Sequence, residues 1–115
     1  MHKFERRTSL SIEELVVEYY NPFELPQCGV VNEIGVVFLQ KTHESEKAED
    51  FLFGLLNEES WENAVKALCY LMTPDEKDLR PETAMKINSF VNDRNKWEIV
   101  GTAKQMVSAR KNLNF

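Results

Sequence analysis

Apolar residues recur every three or four positions along most of the chain, which is the spacing expected of amphipathic helices. Ser11 and Glu14 open the first such segment with the spacing of a capping box, in which each side chain bonds to the other's backbone N–H. Later segments begin after short polar stretches or at a proline, which suits the first turn of a helix. Their expected starts, with serine as the N-cap where it occurs, are Ser45, Ser60, Pro81 and Trp97.

The segment 26–42 is open to two interpretations. It is rich in β-branched residues, which favour a buried strand. Against this, Pro26 suits a helix start, and Val31, Ile34 and Phe38 keep the three-to-four spacing. The segment is also long for a single strand. We favour a mostly buried helix, so the pattern as a whole predicts an all-α fold of about six helices.

A short pattern occurs twice in the second half of the chain. Residues 55–62 and 90–98 each contain two apolar residues, an Asn followed by an acidic residue, and then a Trp-Glu pair. The two tryptophans, Trp61 and Trp97, lie 36 positions apart. Repeats of this length are built from helix pairs that stack, because one pair cannot bury its apolar face alone. We therefore expect both indoles to be buried between successive pairs; the alternative is that they are exposed and anchor a partner or stack on nucleobases.

In this pattern the chain resembles HEAT-type α-helical repeats over residues 45–112, while residues 11–42 match only in helix order. The resemblance implies antiparallel helix pairs, arranged as an α-α superhelix or an irregular helical bundle. It also implies a surface that binds protein partners. We divide the chain into an N-terminal extension, 1–10, and a single helical domain, 11–115. The helix pairs are expected over 11–42, 45–73 and 81–112.

Composition narrows the class of protein further. The chain has 115 residues, a formal net charge of −5 and two cysteines. This length favours one domain, and the acidic balance argues against a dedicated duplex-DNA binder. Two cysteines are too few for a disulfide framework, so we expect Cys28 and Cys69 to be reduced and buried. No signal-peptide or bilayer-spanning pattern is found, because the longest apolar run covers only residues 36–39. We expect a cytoplasmic protein without membrane contact.

Catalytic and cofactor-binding motifs do not occur in the sequence. It contains no glycine-rich phosphate loop, no nucleophile-elbow pattern and no zinc-protease helix motif. His43 lies beside Glu44 and Glu46, but one histidine at a helix junction is not a metal-ligand set. We expect neither an enzyme nor a bound metal or cofactor.

Charge is distributed unevenly along the chain. Residues 44–62 contain seven acidic residues and one lysine, whereas residues 94–115 contain five basic residues and one glutamate. The simplest interpretation is two solvated helix faces. The alternatives are that the two regions meet head to tail in an assembly, or that the basic end contacts phosphate. The basic residues, which we take as candidates for partner binding, are Arg94, Lys96, Lys104, Arg110 and Lys111.

These observations favour a small non-catalytic module that binds an unidentified protein or a second copy of itself. Nucleic-acid binding through the basic C-terminal helix is the second hypothesis. An enzyme or small-ligand site between helices is the third and least favoured.

Overall fold

A computed structural model describes residues 11–21, 26–57 and 60–113; the predicted extension 1–10 lies outside these ranges. In the described part the backbone forms α-helices and short 3₁₀ turns, and no β-strand. The prediction of an all-α fold is therefore confirmed. The α-helices are α1 Ile12–Tyr20, α2 Gln27–Gln40, α3 Ser45–Leu55, α4 Trp61–Met72, α5 Pro81–Val91 and α6 Trp97–Leu113, and the 3₁₀ turns are Glu76–Asp78 and Arg94–Lys96.

Side-chain caps fix the starts of α1 and α4. The Ser11 hydroxyl accepts a bond from the Glu14 N–H (3.1 Å), and the Glu14 carboxylate accepts one from the Ser11 N–H (2.9 Å). This confirms the predicted capping box. The Ser60 hydroxyl likewise accepts a bond from the Asn63 N–H, at 3.4 Å, so the predicted cap of α4 is also confirmed.

Ser45 does not cap α3, contrary to the prediction. It is the first residue of the helix, and its hydroxyl donates to the carbonyl oxygen of Val37, 3.1 Å away in α2. The Thr42 hydroxyl accepts the nearby Glu44 N–H at 3.2 Å. The Ser45 hydroxyl therefore makes a tertiary contact with α2 instead of capping its own helix.

Residues 27–40 form a helix, which excludes the strand alternative. Val30, Val31 and Ile34 are completely buried. Helix α2 packs against α1, α3 and α4, so its β-branched residues fill space on more than one side. A helix enclosed in this way has to be apolar around much of its circumference, which is why its sequence also fits a buried strand.

Helices α1 and α3 lie side by side and point in the same direction. Near their starts, Lys47 of α3 donates to Glu13 of α1 at 2.6 Å. Near their ends, the rings of Tyr19 and Phe51 meet edge to face, with centroids 5.3 Å apart. The first and third helices therefore belong to one layer.

Helix α5 continues this layer. The Thr83 hydroxyl donates to Glu49 of α3 at 2.7 Å, and one turn further along Lys86 lies over the Phe53 ring, 5.3 Å from its centroid. From the first contact to the second, both helices proceed toward their C-termini, so α3 and α5 also run parallel. The odd-numbered helices form one side of the molecule.

The even-numbered helices form the other side. Asn63 of α4 donates to Gln27 of α2 (3.4 Å), and the Tyr70 hydroxyl donates to Asn32 (3.0 Å), so these helices run parallel. Gly35 of α2 lies directly under the Tyr70 ring, and an added Cβ would overlap that ring. Glycine at this position therefore allows the two helices to approach closely.

Helix α6 packs extensively on α4. The Cys69 thiol lies 3.8 Å from the carbonyl oxygen of Ala103, and the Arg110 guanidinium lies over the Tyr70 ring, 5.9 Å from its centroid. Near the starts of the two helices Trp61 and Trp97 line one depression, so α4 and α6 are parallel.

The two sets of helices run in opposite directions. Gln27 at the start of α2 donates to the carbonyl oxygen of Tyr19 at the end of α1, and Ser45 at the start of α3 donates to that of Val37 near the end of α2. Successive helices in the chain therefore run antiparallel, and the starts of α2, α4 and α6 lie at one end of their layer.

The core is centred on α4. The buried residues of this helix are Asn63, Ala64, Val65, Ala67, Leu68, Cys69 and Leu71. Helices α2, α3 and α6 all pack against this helix, so burial extends around most of its surface. Among the helices of the described ranges, none has both the length and the apolar character needed to cross a bilayer.

The two cysteines differ in exposure. Cys69 is buried, as predicted, but Cys28 is exposed, so that half of the prediction is wrong. Cys28 lies in the first turn of α2, before the buried face begins at Val30. Its apolar neighbours in the sequence therefore do not cover it.

This difference predicts two rates of thiol modification. The thiolate is the reactive form, and burial raises the pKa of the Cys69 thiol. In the folded protein an aromatic disulfide reagent should modify one thiol rapidly, and Cys28→Ser should remove that phase. The second thiol should react at a comparable rate only after unfolding in urea. Two equally fast phases in the folded protein would contradict the assigned burial of Cys69.

Candidate interaction surface

The side chains of Trp61 and Trp97 lie on the surface. Trp61 is 47% exposed and Trp97 is 70% exposed, so the prediction that both are buried between helix pairs is wrong. Each tryptophan is the first residue of its helix, where the helix end meets solvent. The buried positions that follow in these two helices are occupied by alanine and aliphatic residues, including Ala64 and Ala103.

Both indoles line one depression between the first turns of α4 and α6, with a volume of about 250 Å³. The parallel direction of these helices brings the two copies of the Trp-Glu pattern to the same end of the layer. The lining residues, which we call the tryptophan groove, are Trp61, Trp97, Glu98, Gly101, Thr102 and Gln105. The groove therefore offers indole faces together with a carboxylate, a hydroxyl and an amide.

Gly101 leaves the middle of the groove without a side chain. It lies in the interior of α6, where glycine costs up to about 1 kcal/mol relative to alanine. A Cβ at this position would meet no atom within 4 Å. Packing within the protein therefore does not require glycine here, and its effect is to keep the space beside the indoles open.

An exposed stripe continues from the groove along α6. Trp97, Gly101, Lys104 and Ser108 have the spacing of one helix face, and all four are exposed. In the part of the chain that the structure describes, Lys104 forms no ion pair. A positive charge without a carboxylate partner thus lies on the same face as Trp97.

The five predicted basic residues do not form one patch. Lys96 lies over the Phe90 ring of α5, 5.7 Å from its centroid, and Arg110 lies over a ring of α4. Arg94 and Lys104 are exposed. Lys111 lies within α6, and its side chain is outside the described part of the structure. Only Lys104 shares the Trp97 face among the four described side chains.

Much of the acidic region is neutralised within the protein. Arg80 bonds to Glu49 at 2.8 Å and lies 3.4 Å from Glu46, and the bond to Glu49 raises the pKa of the guanidinium. Lys47 lies 3.5 Å from Glu44. Glu58 and Glu59 lie outside the described residues. A head-to-tail contact with the basic end is therefore less favoured than the sequence suggested, because these carboxylates already have cationic partners.

Two larger recesses occur away from the tryptophan groove. One, of about 310 Å³, lies beside Glu49 and Arg80, which already satisfy each other's charge. The other, of about 680 Å³, lies between α3 and α5 and is lined by Phe53, Met85 and Phe90 among others. The described residues contain no group of three or more potential metal ligands.

No protein-family model, curated protein or solved structure matches this chain. The sequence predicted exposed tryptophans only as the less favoured alternative and did not predict that they line one groove, although two sequence signals point to this site. Trp61 directly follows the capping residue Ser60, which places it at a helix end. Gly101 interrupts a helical segment at a point where no turn is needed.

Proposed function

We propose that the protein is a small, non-catalytic helical module that binds another protein through the tryptophan groove. The observation that supports this most strongly is that Trp61 and Trp97 are both exposed and line the same groove. Exposed indoles contribute little to folding, whereas tryptophan is enriched among the residues that dominate the binding free energy of protein interfaces. A partner that covers both rings accounts for their position.

The proposal includes a HEAT-like arrangement, which presents an extended surface to a partner. The two layers of parallel helices support it, as does the equivalent placement of Trp61 and Trp97 at the starts of α4 and α6. The protein would act in the cytoplasm, where Cys28 and Cys69, both free thiols, stay reduced. Neither a cofactor nor a metal is part of the proposal.

Site-specific photo-cross-linking tests this function. A benzophenone amino acid replaces Gln105, an exposed residue of the groove, in the full chain expressed in its own cells. The control carries the same group at Asp50, which is exposed on α3 in the other layer. We expect a protein adduct from position 105 that is absent from position 50, and mass spectrometry then identifies the partner.

The tryptophans supply the specificity control for this experiment. Trp61→Ala and Trp97→Ala should each reduce the yield of the position-105 adduct, because each removes an aromatic wall of the groove. An adduct with a second copy of the chain would identify self-association as the function. Identical adducts from positions 105 and 50, or yields unchanged by both substitutions, would overturn the proposal.

A matched pair of glycine substitutions separates stability from binding. Gly101→Ala should raise the free energy of unfolding by up to about 1 kcal/mol, because it adds helix propensity without a clash. It should also lower the cross-linking yield, because the new methyl group enters the groove. Gly54→Ala in α3 is equally free of clashes and should leave the yield unchanged. Urea unfolding and adduct yield measure the two effects; equal yields for both variants would contradict the role assigned to Gly101.

Nucleic-acid binding is a second candidate function. The observation in its favour is that Arg94 and Lys104 are exposed and form no ion pair in the described structure. Phosphate contacts release counterions, so such binding must weaken steeply with salt. We would expect labelled single-stranded DNA or RNA to bind at about 50 mM salt and Lys104→Gln to weaken the complex. The absence of a mobility shift at that salt concentration would exclude this function.

A further inference from the structure

We infer that the protein segment which occupies the tryptophan groove carries an apolar side chain that lies between the indoles and, about three residues away, an Asp or Glu that pairs with Lys104. This inference rests on the proposed function, which supplies the groove as the binding surface. It adds the chemical class of the partner, and it follows from the charges next to the groove.

The charges of α6 are predominantly positive. The helix contains Lys104, Arg110 and Lys111 but one acidic residue, Glu98. Lys104 is exposed and has no carboxylate partner in the described structure. Lys47 and Arg80, by contrast, pair with acidic residues of α3. An unpaired cation on the same face as the exposed Trp97 therefore suits a partner that brings its own carboxylate.

Helix geometry gives the spacing that such a partner needs. Lys104 follows Trp97 by seven residues on the same face, which is about 10 Å along the helix axis. An extended peptide advances about 3.3 Å per residue. An acidic residue about three positions from the apolar anchor would therefore reach Lys104 while the anchor remains between the indoles.

The carboxylates beside the indoles favour a protein segment over a nucleic acid. Glu98 lines the groove, and Glu62 is exposed directly after Trp61. Every nucleotide carries a phosphate, so a base stacked on either indole brings negative charge close to these carboxylates. A peptide can place an uncharged residue beside Glu98 and keep its acidic residues near Lys104, which avoids this repulsion.

Peptide titrations of the full chain test the inference, with tryptophan emission as the signal. The probes are a short blocked peptide with a central leucine flanked three positions away by Asp and Glu, its Asn and Gln counterpart, its Lys counterpart, and oligothymidylate. At about 50 mM salt we expect the acidic peptide to bind about fivefold more tightly than the amide peptide. Trp97→Ala should abolish the response. Lys104→Gln should weaken binding of the acidic peptide about threefold, whereas Lys77→Gln, an exposed lysine of a 3₁₀ turn, should not.

The results distinguish this inference from the proposed function. Equal binding of the acidic and amide peptides, equal effects of the two lysine substitutions, preference for oligothymidylate, or no binding of the acidic peptide would each overturn the inference. If cross-linking from position 105 still identifies a groove-dependent partner, the proposed function stands without it. If that cross-linking also fails, both are wrong.

Discussion

Replacing Gly35 with alanine should destabilise the protein by about 2–3 kcal/mol. The new Cβ would overlap the Tyr70 ring, which lies directly on the α2 backbone. Neither group moves easily, because Gly35 is in the interior of a buried helix and the Tyr70 hydroxyl bonds to Asn32 at 3.0 Å. Helices α2 and α4 would have to separate. Urea unfolding of the single variant against wild type measures the loss.

A double-mutant cycle shows whether this contact is the cause. Tyr70→Ala alone should also destabilise the protein, because the ring is half-buried against α2. In that background Gly35→Ala should lower the free energy of unfolding only slightly, since the overlapping ring is absent. If Gly35→Ala costs as much in the Tyr70→Ala background as in the wild type, the close approach of α2 and α4 is not the reason for glycine at position 35.

Replacing Thr83 with valine should destabilise the protein by about 2 kcal/mol. The Thr83 hydroxyl is buried and donates to the Glu49 carboxylate at 2.7 Å, and Glu49 is itself only 5% exposed. Valine keeps the shape but removes the donor, so the carboxylate retains only its bond to Arg80 among the described contacts. A buried carboxylate that loses a hydrogen bond is costly because water cannot replace it.

Thr73→Val is the matched control for this prediction. The Thr73 hydroxyl donates to the Cys69 carbonyl oxygen within the same helical segment, at 2.6 Å, and this residue is only partly buried. Removing the Thr73 hydroxyl should therefore lower the free energy of unfolding, measured in urea, much less than removing the Thr83 hydroxyl does. Equal destabilisation by the two substitutions would show that the buried Glu49 contact contributes nothing specific.

Local chemistry made the helices predictable. The capping box of Ser11 and Glu14 and the cap at Ser60 involve neighbours in the chain, so their residue types were sufficient to locate two helix starts. Pro81 marked the start of α5 for the same reason. Such signals act within one turn of helix and do not depend on how the helices pack.

Tertiary position was less predictable. Trp61 has the spacing of the apolar stripe that continues through Ala64 and Leu68, yet it is exposed. Periodicity identifies the face of a helix but not where along that face the neighbouring layer ends. Cys28 is exposed for the same reason, because it precedes the point at which the buried face of α2 begins. Ser45 bonds to another helix, which no local pattern records.

The proposed binding surface was predicted only in part. The uneven distribution of charge along the chain drew attention to the basic residues of the C-terminal region, and Lys104 does lie on the Trp97 face. Lys96 and Arg110 do not join Lys104 on this face, because their side chains lie over rings of two different helices. The sequence does not give the direction of these side chains. The groove itself depends on α4 and α6 running parallel, so that residues 36 positions apart in the sequence line one depression.

Nuclear magnetic resonance of the two indole N–H groups tests the central claim most directly. Isotopically labelled protein is titrated with the purified partner identified by cross-linking from position 105. We expect that the Trp61 and Trp97 indole signals, assigned with the single alanine variants, both move and saturate together. If both indole signals stay fixed while other signals of the protein shift on binding, the partner binds elsewhere and the tryptophan groove is not its site.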